Sequence, residues 1–579
     1  MKSAFTQSFD EHYDAVIVGS GAAALAAACR LSDLGAHVIL LEKTGHIGGN
    51  SAMSGGGIWV PNNALIGSVG IEDNDEDAFA YLRHVIPEEQ VPDDMIRTYI
   101  HSAPEMIEYL RGIGVAYTPV AHYPDYYPSA PGWRPGGRTM DCAPLDGRTL
   151  GEDLYRLREM PPASKAFGRI NLSITEASKV QAVAQGWQMI AAKALLQYAL
   201  DIAGRFRGKR DRRLCMGEAL VGRLLLAAQE RGVEIRTNAP VKSLVSEKGR
   251  ICGVAVDSAG TVRKIAANRG VLVASGGFEA DQEMRSESLA NPTRTQWSAG
   301  SPGNSGDMIR AGRSIGAQTD LMQEAWWAPV VLWGDRPVVL FFEKSKPGMM
   351  IVDRHGRRFM NEAITYNSYG KSIYGEDYSR EDRVPAFIIF DRTYRQKYMF
   401  GGLLQSSMSP DWLTPSAFGE DGLLQKAPSL RELACKLGID PAGMAESADK
   451  MAEYAQTGID TEFGRGSDAH DRMYGDERVF PNPCLGPLAK APFYGARLYP
   501  GDIGTKGGLK IDQDGSVLDT SGTPIAGLFA AGNCTASIMG EKYPGAGCTL
   551  GPALTMAFRG ANALMQSNSH LNQRTNQRL

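Results

Sequence analysis

The sequence predicts an α/β fold in which the chain builds a parallel-sheet domain, leaves it for an inserted α+β domain, and returns. Three observations carry this. A β-prone run, a glycine turn, a helical run and a second β-prone run follow one another over residues 13–42. An apolar run ending in a small-residue turn then recurs at Gly270–Phe278 (GVLVASGGF) and at Gly527–Asn533 (GLFAAGN). Between these, from Gly277 to about Lys490, the glycine loops thin out and aromatic and polar segments take over, with Trp326-Trp327, Phe341-Phe342, RFMNEAITYNSYG and VPAFIIFD.

Composition sets the bounds. A chain of 579 residues is too long for one simple core, so two or three domains are expected. The predicted division is 1–290, with a helical, basic insertion at about 155–213, then 291–490, then 491–579. Sixty-one basic and 65 acidic residues leave a net charge of −4, which gives no reason to expect a nucleic-acid partner. Eight scattered cysteines without a C-x-x-C, and nine histidines without ligand spacing, predict neither disulfide framework nor metal site. No apolar stretch reaches the ~18–20 residues of a membrane span, and the N-terminal residues lack a signal-peptide layout. A cytoplasmic protein is expected. Glycine is the one excess, 66 residues gathered in short loops, which suggests backbone held close to a ligand.

The first element explains why. Tyr13–Val18 (YDAVIV) reads as a strand, GSGAAA at 19–24 as a turn, the alanine-rich run to about Leu34 as a helix, and AHVILLE as a strand ending in Glu42. This is a Rossmann-like dinucleotide fingerprint in its full context. Gly19 permits the tight turn, Gly21 lets backbone approach a pyrophosphate, and Ala22, Ala23 and Ala24 open a helix close to the sheet. The helix N-terminus offers unpaired N–H groups to phosphate, and Glu42 can accept from both ribose hydroxyls.

The next segment separates FAD from NAD. Lys43 to Asn63 reads KTGHIGGNSAMSGGGIWVPNN. Gly48, Gly49, Asn50, Ser51, Ser54, Gly55, Gly56 and Gly57 form a second glycine-rich loop directly after the ribose-binding acid. FAD, with a ribityl chain and flavin ring beyond its diphosphate, has a use for it. The later strand-turns add Ala274, Gly276, Gly532 and Asn533. YPGAGCTLGPA at 543–553 leads into a helical run whose N-terminus, near Thr549 and Leu550, would stabilise negative charge on a reduced flavin. With Lys43 and Val241 these complete the expected FAD-binding set.

One segment stands apart. Trp187–Ala203 is apolar at helical spacing, and GRFRGKRDRR follows, with Arg205, Arg207, Lys209, Arg210, Arg212 and Arg213 around Asp211. Residues 187–213 read either as a helical hairpin packed on the protein with a solvated basic end, or as a peripheral contact with an anionic membrane surface. The polar C-terminal residues 566–579 are expected to fray.

End to end and in order, GSGAAA, IGGNSAMSGGGIWVPNN, PDYYPSAPGWRPGGR, RFMNEAITY, GDIGTKGG, AAGN and YPGAGCTLGPA resemble the 3-ketosteroid Δ1-dehydrogenases, relatives of the fumarate reductase flavoprotein. The resemblance implies a FAD-binding domain interrupted by a substrate (catalytic) domain, a 3-ketosteroid substrate and an external electron acceptor. It also implies four catalytic positions. Tyr366 is the proton acceptor, Tyr126 assists it, and the Tyr543 hydroxyl with the Gly547 N–H holds the 3-keto oxygen. Tyr127 is an adjacent competitor for Tyr126. A tyrosine with an ordinary pKa near ~10 is a poor base at neutral pH, so Tyr126 and local dipoles are expected to favour tyrosinate.

Three other functions compete: a 3-ketosteroid 4(5α)-dehydrogenase, expected to lack a counterpart of Tyr126; a fumarate-reductase-like enzyme, which needs Arg and His clamps where this chain has tyrosines and apolar residues; and a FAD-bound protein without turnover.

Overall fold

The computed structural model describes residues 7–181, 185–258, 260–419 and 422–566. The tail expected to fray lies, from residue 567 on, outside the described residues.

The glycine turn is positioned by a mixed eight-stranded sheet. Strand Glu11–Val18 lies at its centre, parallel to Val38–Leu41 on one side and to Thr261–Val273 on the other. Glu234–Arg236 extends the first side and Pro524–Ala530 the second, both parallel. Such a sheet is covered on its faces, so its strands are near-continuous apolar runs; Ala15–Val18 and Val38–Leu41 are wholly buried. Helix Ala22–Asp33 crosses between the first two strands and packs against helix Leu550–Gln566 and helix Met216–Glu230. The small residues Ala22–Ala24 and Ala26–Ala28 allow the close approach.

A second sheet of six antiparallel strands runs Arg336–Val339, Ala325–Trp333, Phe493–Thr505, Ala386–Phe390, Met349–Val352, with Gln425–Ala427 paired to Phe493–Thr505. The 13-residue strand Phe493–Thr505 is therefore central to this sheet. Its sequence position suggested the returning C-terminal part. The chain rejoins the eight-stranded sheet later, at Ser516–Leu518 and Pro524–Ala530. No composition change marks that boundary, because one apolar strand serves either sheet.

The 155–213 region is helical, with Ile174–Gln181, Trp187–Leu200 and Ile202–Arg207. Its basic end is solvated only in part, with Arg207 and Lys209 exposed. Arg212 pairs with Asp201, Arg210 with Glu218 at 3.0 Å, and Arg213 with Glu176 at 2.8 Å. The acids that neutralise the last two are remote or on another element, so a count along 204–213 overstates the free charge. Among the described residues, no helix is long and apolar enough to cross a membrane.

Candidate active site

The two sheets meet around one large cavity. Its lining runs from the glycine turn (Gly19, Gly21), past Glu42 and the loop 49–57, to Tyr126, Tyr366, Tyr543 and Gly547.

At the nucleotide end, Gly19 has φ +108°, and a Cβ there would lie 2.3 Å from the carbonyl oxygen of Ala274. Only glycine fits. The Ala22 N–H donates to Ser51 Oγ at 3.0 Å, which ties the helix start to the second glycine loop. Glu42 is held by three donors: Ser20 Oγ at 2.5 Å on one oxygen, and Thr44 N and Oγ1, both at 2.8 Å, on the other. Asn50 bridges the loop to Glu279 at 2.7 Å and to the Ile503 carbonyl at 3.1 Å. Asn304 donates to the same Glu279 oxygen at 2.7 Å. Burial, with Asp502 nearby, pushes Glu279 up to about 7.

Of the expected FAD-binding positions, Gly19, Gly21, Ala23, Glu42, Gly49, Asn50, Ser51, Ser54, Gly55, Gly56, Gly57, Ala274, Gly276, Gly532, Asn533, Thr549 and Leu550 line the cavity. Ala22, Ala24, Lys43, Gly48 and Val241 are not in its wall. Ala24 is in the helix core, and Lys43 reaches away to Ser305 and Asp307, both at 2.6 Å. Gly48 faces Ala52, and Val241 begins a strand paired to Val256.

The wall fits FAD by its own chemistry. A Cβ added at Gly49 or Gly55 would meet no protein atom within 4 Å, so backbone there borders open cavity. Thr549 Oγ1 is buried, one residue before the helix Leu550–Gln566, with Tyr543 beside it but no protein hydrogen bond of good geometry. A buried hydroxyl left unpaired is costly, and a polar ligand at this helix start would satisfy it.

At the other end three phenols converge. The ring of Tyr366 lies 5.2 Å from that of Tyr543 and 6.1 Å from that of Tyr126, and Tyr126 lies 5.5 Å from Tyr543. The Gly547 N–H donates to Tyr543 Oη at 3.3 Å, so both donors expected to hold a carbonyl oxygen meet at one point. Gly547 has φ +100°, and a Cβ there would strike the Ile58 backbone at 2.4 Å. Tyr126 lines the cavity, whereas Tyr127 turns to Thr365 and the Tyr543 backbone.

Each phenol is anchored by charge the sequence reading did not single out. Beside Tyr126, the buried Asp125 accepts from Trp59 Nε1 and Arg138 NH1, both at 2.7 Å. Arg138 also clasps Asp73 at 2.6 Å, and the Tyr126 N–H reaches the Pro544 carbonyl at 2.9 Å. Ahead of Tyr366, Lys344 donates to the carbonyls of Ala363 and Ile364. Ahead of Tyr543, Lys506 donates to the carbonyls of Glu541 and Lys542, both at 2.7 Å, and sits 4.3 Å from the Trp326 ring centre. Burial pushes both lysines down to about 7. Asp125 and Arg138 stand in the quoted segment PDYYPSAPGWRPGGR and could have been noticed there; Lys344 and Lys506 have no local signature.

His470, which no sequence motif marks, lines the cavity with its ring 4.7 Å from Tyr126, edge-on. Burial lowers its pKa. Beyond Tyr126, Tyr123 and Tyr474 share a hydroxyl contact of 2.9 Å.

The electrostatics correct one expectation. Burial, then Tyr543, push Tyr366 well above 10, and the hydrogen bond from Tyr126 only partly opposes this. Burial pushes Tyr543 up to about 12, with the Tyr366 hydrogen bond opposing. Burial and the neighbouring Tyr543 thus favour the neutral phenol of Tyr366.

Fold and site together define a FAD-dependent oxidoreductase. Residues 14–550 match the FAD binding domain family. The chain is 38% identical to the 3-oxosteroid 1-dehydrogenase of Comamonas testosteroni, over 95% of this chain and 96% of that one. It superposes with a TM-score of 0.92 and 40% identity on the 3-ketosteroid delta1-dehydrogenase of Sterolibacterium denitrificans in complex with 1,4-androstadiene-3,17-dione, covering 96% and 100% of the two chains. It is also 34% identical to the 4-oxocyclohexanecarboxylate 2-dehydrogenase of Sinomonas cyclohexanicum, over 94% and 92%. The chain belongs to this family of FAD-binding dehydrogenases, the one that holds the 3-oxosteroid 1-dehydrogenases.

Proposed function

We propose that the protein catalyses FAD-dependent 1,2-dehydrogenation of 3-ketosteroids. The observation that carries this reading is the meeting of the Tyr543 hydroxyl and the Gly547 N–H beside Tyr366, at one end of a long apolar cavity. A 3-keto oxygen placed there takes both hydrogen bonds, which stabilises enolate character and acidifies the C–H at carbon 2. Tyr366 Oη accepts that proton, and Tyr126 hydrogen-bonds Tyr366 and disperses the charge it gains. Bound FAD supplies the acceptor for the hydride of carbon 1, leaving a 1,2-double bond. Gly19, Gly21, Glu42, Ser51, Asn533 and Thr549 would hold FAD, and an external electron acceptor would complete turnover.

Substrate size follows from the far walls. Beside the phenols the wall is apolar, with Val338, Phe341 (its ring 5.1 Å from Tyr366), Phe342, Met399, Leu404 and Met408, which favours a fused-ring ketone over a single oxocyclohexane ring. Of the lysines in that wall, Lys344 is engaged on carbonyls 363 and 364, Lys346 on the Gly475 carbonyl at 3.0 Å and Lys165 on Glu159 at 2.6 Å.

The test is anaerobic mixing of the flavoprotein with 4-androstene-3,17-dione, following the oxidised-flavin band and identifying the product by mass and NMR. Bleaching with a new 1,2-double bond is expected. Bleaching only with 5α-saturated ketones, giving a 4,5-double bond, would replace this reading by the 4(5α) reaction. Bleaching only with 4-oxocyclohexanecarboxylate would replace the substrate.

A further inference from the structure

Glu541, which stands shortly before Tyr543, reaches both of the other tyrosine segments. Towards Tyr366, Lys371 Nζ lies 2.7 Å from Glu541 Oε2, with the two side chains only 21% and 16% exposed. Lys371 stands on the helix Tyr369–Tyr374, which follows the turn Tyr366–Ser368 without a break. Asn367, in that turn, donates from Nδ2 to the Glu541 carbonyl at 3.3 Å. Towards Tyr126, Gln90 holds Glu541 at two points. Its Oε1 accepts from the Glu541 N–H at 2.9 Å, and its Nε2 donates to Glu541 Oε2 at 3.2 Å. Gly540 makes room for this: it has φ +56°, and a Cβ there would lie 2.6 Å from Gln90 Oε1.

Gln90 leads on to the third segment. It follows the helix Asp75–Val85, whose Tyr81 donates to the Pro544 carbonyl at 2.5 Å and accepts from the Tyr127 N–H at 3.3 Å. The Tyr126 N–H shares that carbonyl at 2.9 Å. Tyr543 is thus flanked by Glu541, tied to the Tyr366 segment, and by Pro544, tied to the Tyr126 segment. An isolated, exposed ion pair adds little to folding. Glu541 differs because its carboxylate is shared: Lys542 Nζ takes the other oxygen, Oε1, at 2.8 Å, so contacts from several segments draw on one side chain. Glu541 does not line the cavity, so it acts on the reaction only through the phenols.

We propose that Glu541 is a positioning residue: through Lys371, Asn367 and Gln90 it joins the three tyrosine segments to one another and sets the gap between Tyr366 and Tyr543. The buried cations hold each segment separately, whereas Glu541 fixes one against another. The effect on catalysis rests on the ketosteroid reading above; the tie itself does not. A proton acceptor and a carbonyl donor must face one substrate at once, and a displacement of about 1 Å between such groups can cost about a hundredfold in rate.

The experiment compares flavin-loaded Glu541→Ala, Lys371→Met and the double variant by anaerobic stopped-flow bleaching with 4-androstene-3,17-dione, the rates taken per bound flavin. Each single variant should lower the limiting rate about ten- to a hundredfold, with a much smaller change in the steroid concentration at half-saturation. The double variant should be no slower than the slower single one, because both remove the same tie. Glu541→Gln, which keeps an oxygen for Lys371, should recover part of the rate. Losses that multiply in the double variant, or an unchanged rate in Lys371→Met, overturn the proposal. A normal rate per bound flavin in Glu541→Ala, with less flavin bound, also overturns it and leaves Glu541 a role in stability alone. Crystals of the Glu541→Ala protein give a readout free of the reaction: the 5.2 Å spacing of the Tyr366 and Tyr543 rings should widen. Unchanged spacing overturns the tie. Widened spacing in a protein whose wild type no ketosteroid bleaches would instead sink the proposed reaction and leave the tie standing.

Discussion

A phenol is a poor base in water, and the surroundings of Tyr366, the proposed base, favour its neutral form further. Its neutral form is favoured by burial and by Tyr543, so the base-competent fraction is small at neutral pH and grows about tenfold for each pH unit below the pKa. The expected kcat/KM therefore rises from pH 7 towards 10 with no plateau between; a flat profile over pH 7–9 would assign the proton to another group. Tyr366→Phe should lower kcat by about 10²–10⁴ while flavin binding stays intact. Tyr543→Phe leaves Gly547 as the lone donor and should cost about 2.7–4 kcal/mol of transition-state stabilisation, read as a fall in kcat/KM. These tyrosines were legible because each stands in a distinctive segment. Lys344, Lys506 and His470 were not, because their partners lie in segments far apart along the chain.

At the scale of elements, the site consists of three loops pinned by buried cations, and the pins set the spacing of the phenols. Arg138 joins Asp73 to Asp125 with every side chain essentially out of solvent. Arg138→Met would leave two carboxylates buried without their partner, and about 3–5 kcal/mol of folding stability should be lost, measured by urea unfolding. Lys344→Met should act more locally. It releases two carbonyls just ahead of Tyr366, so kcat should fall more than KM rises, with the fold retained; an unchanged kcat would mean that Lys344 does not position the turn. Most elements of the parallel sheet were predictable, since a strand, a glycine turn and a helix each follow from neighbouring residues. The membership of Phe493–Thr505 was not. Its apolar residues specify a buried strand, but which strands it pairs with is decided by segments some 100–170 residues earlier.

For the whole molecule, two carboxylates couple stability to acid. Burial pushes Glu541 up, but Lys371, Lys542 and Gln90 outweigh it and hold it at about 2; Asp476 reaches about 2 in the same way through Arg478 and Tyr398. Both are lower than in an unfolded chain, so their contribution is complete above the ordinary carboxylate range and is lost as pH falls through it towards 2. The urea midpoint should drop between pH 5 and pH 3, and Glu541→Gln should shrink that drop. FAD should raise the stability of the apoprotein by about 2.7 kcal/mol at a hundredfold excess over Kd, seen as a higher Tm.

The local order of residues settled the nucleotide half of this protein. Gly19, Gly21, Ser51 and Glu42 lie within one strand–turn–helix–strand unit and the loop after it, where short-range geometry dictates what each residue can do. The catalytic half depends on the assembled fold. Tyr126, Tyr366 and Tyr543 come from segments up to 417 positions apart, and only the assembled fold brings their rings within about 6 Å. The same packing strips solvent from the phenols, and that loss of solvation, a property of the packed molecule rather than of any stretch of sequence, raises their pKa values.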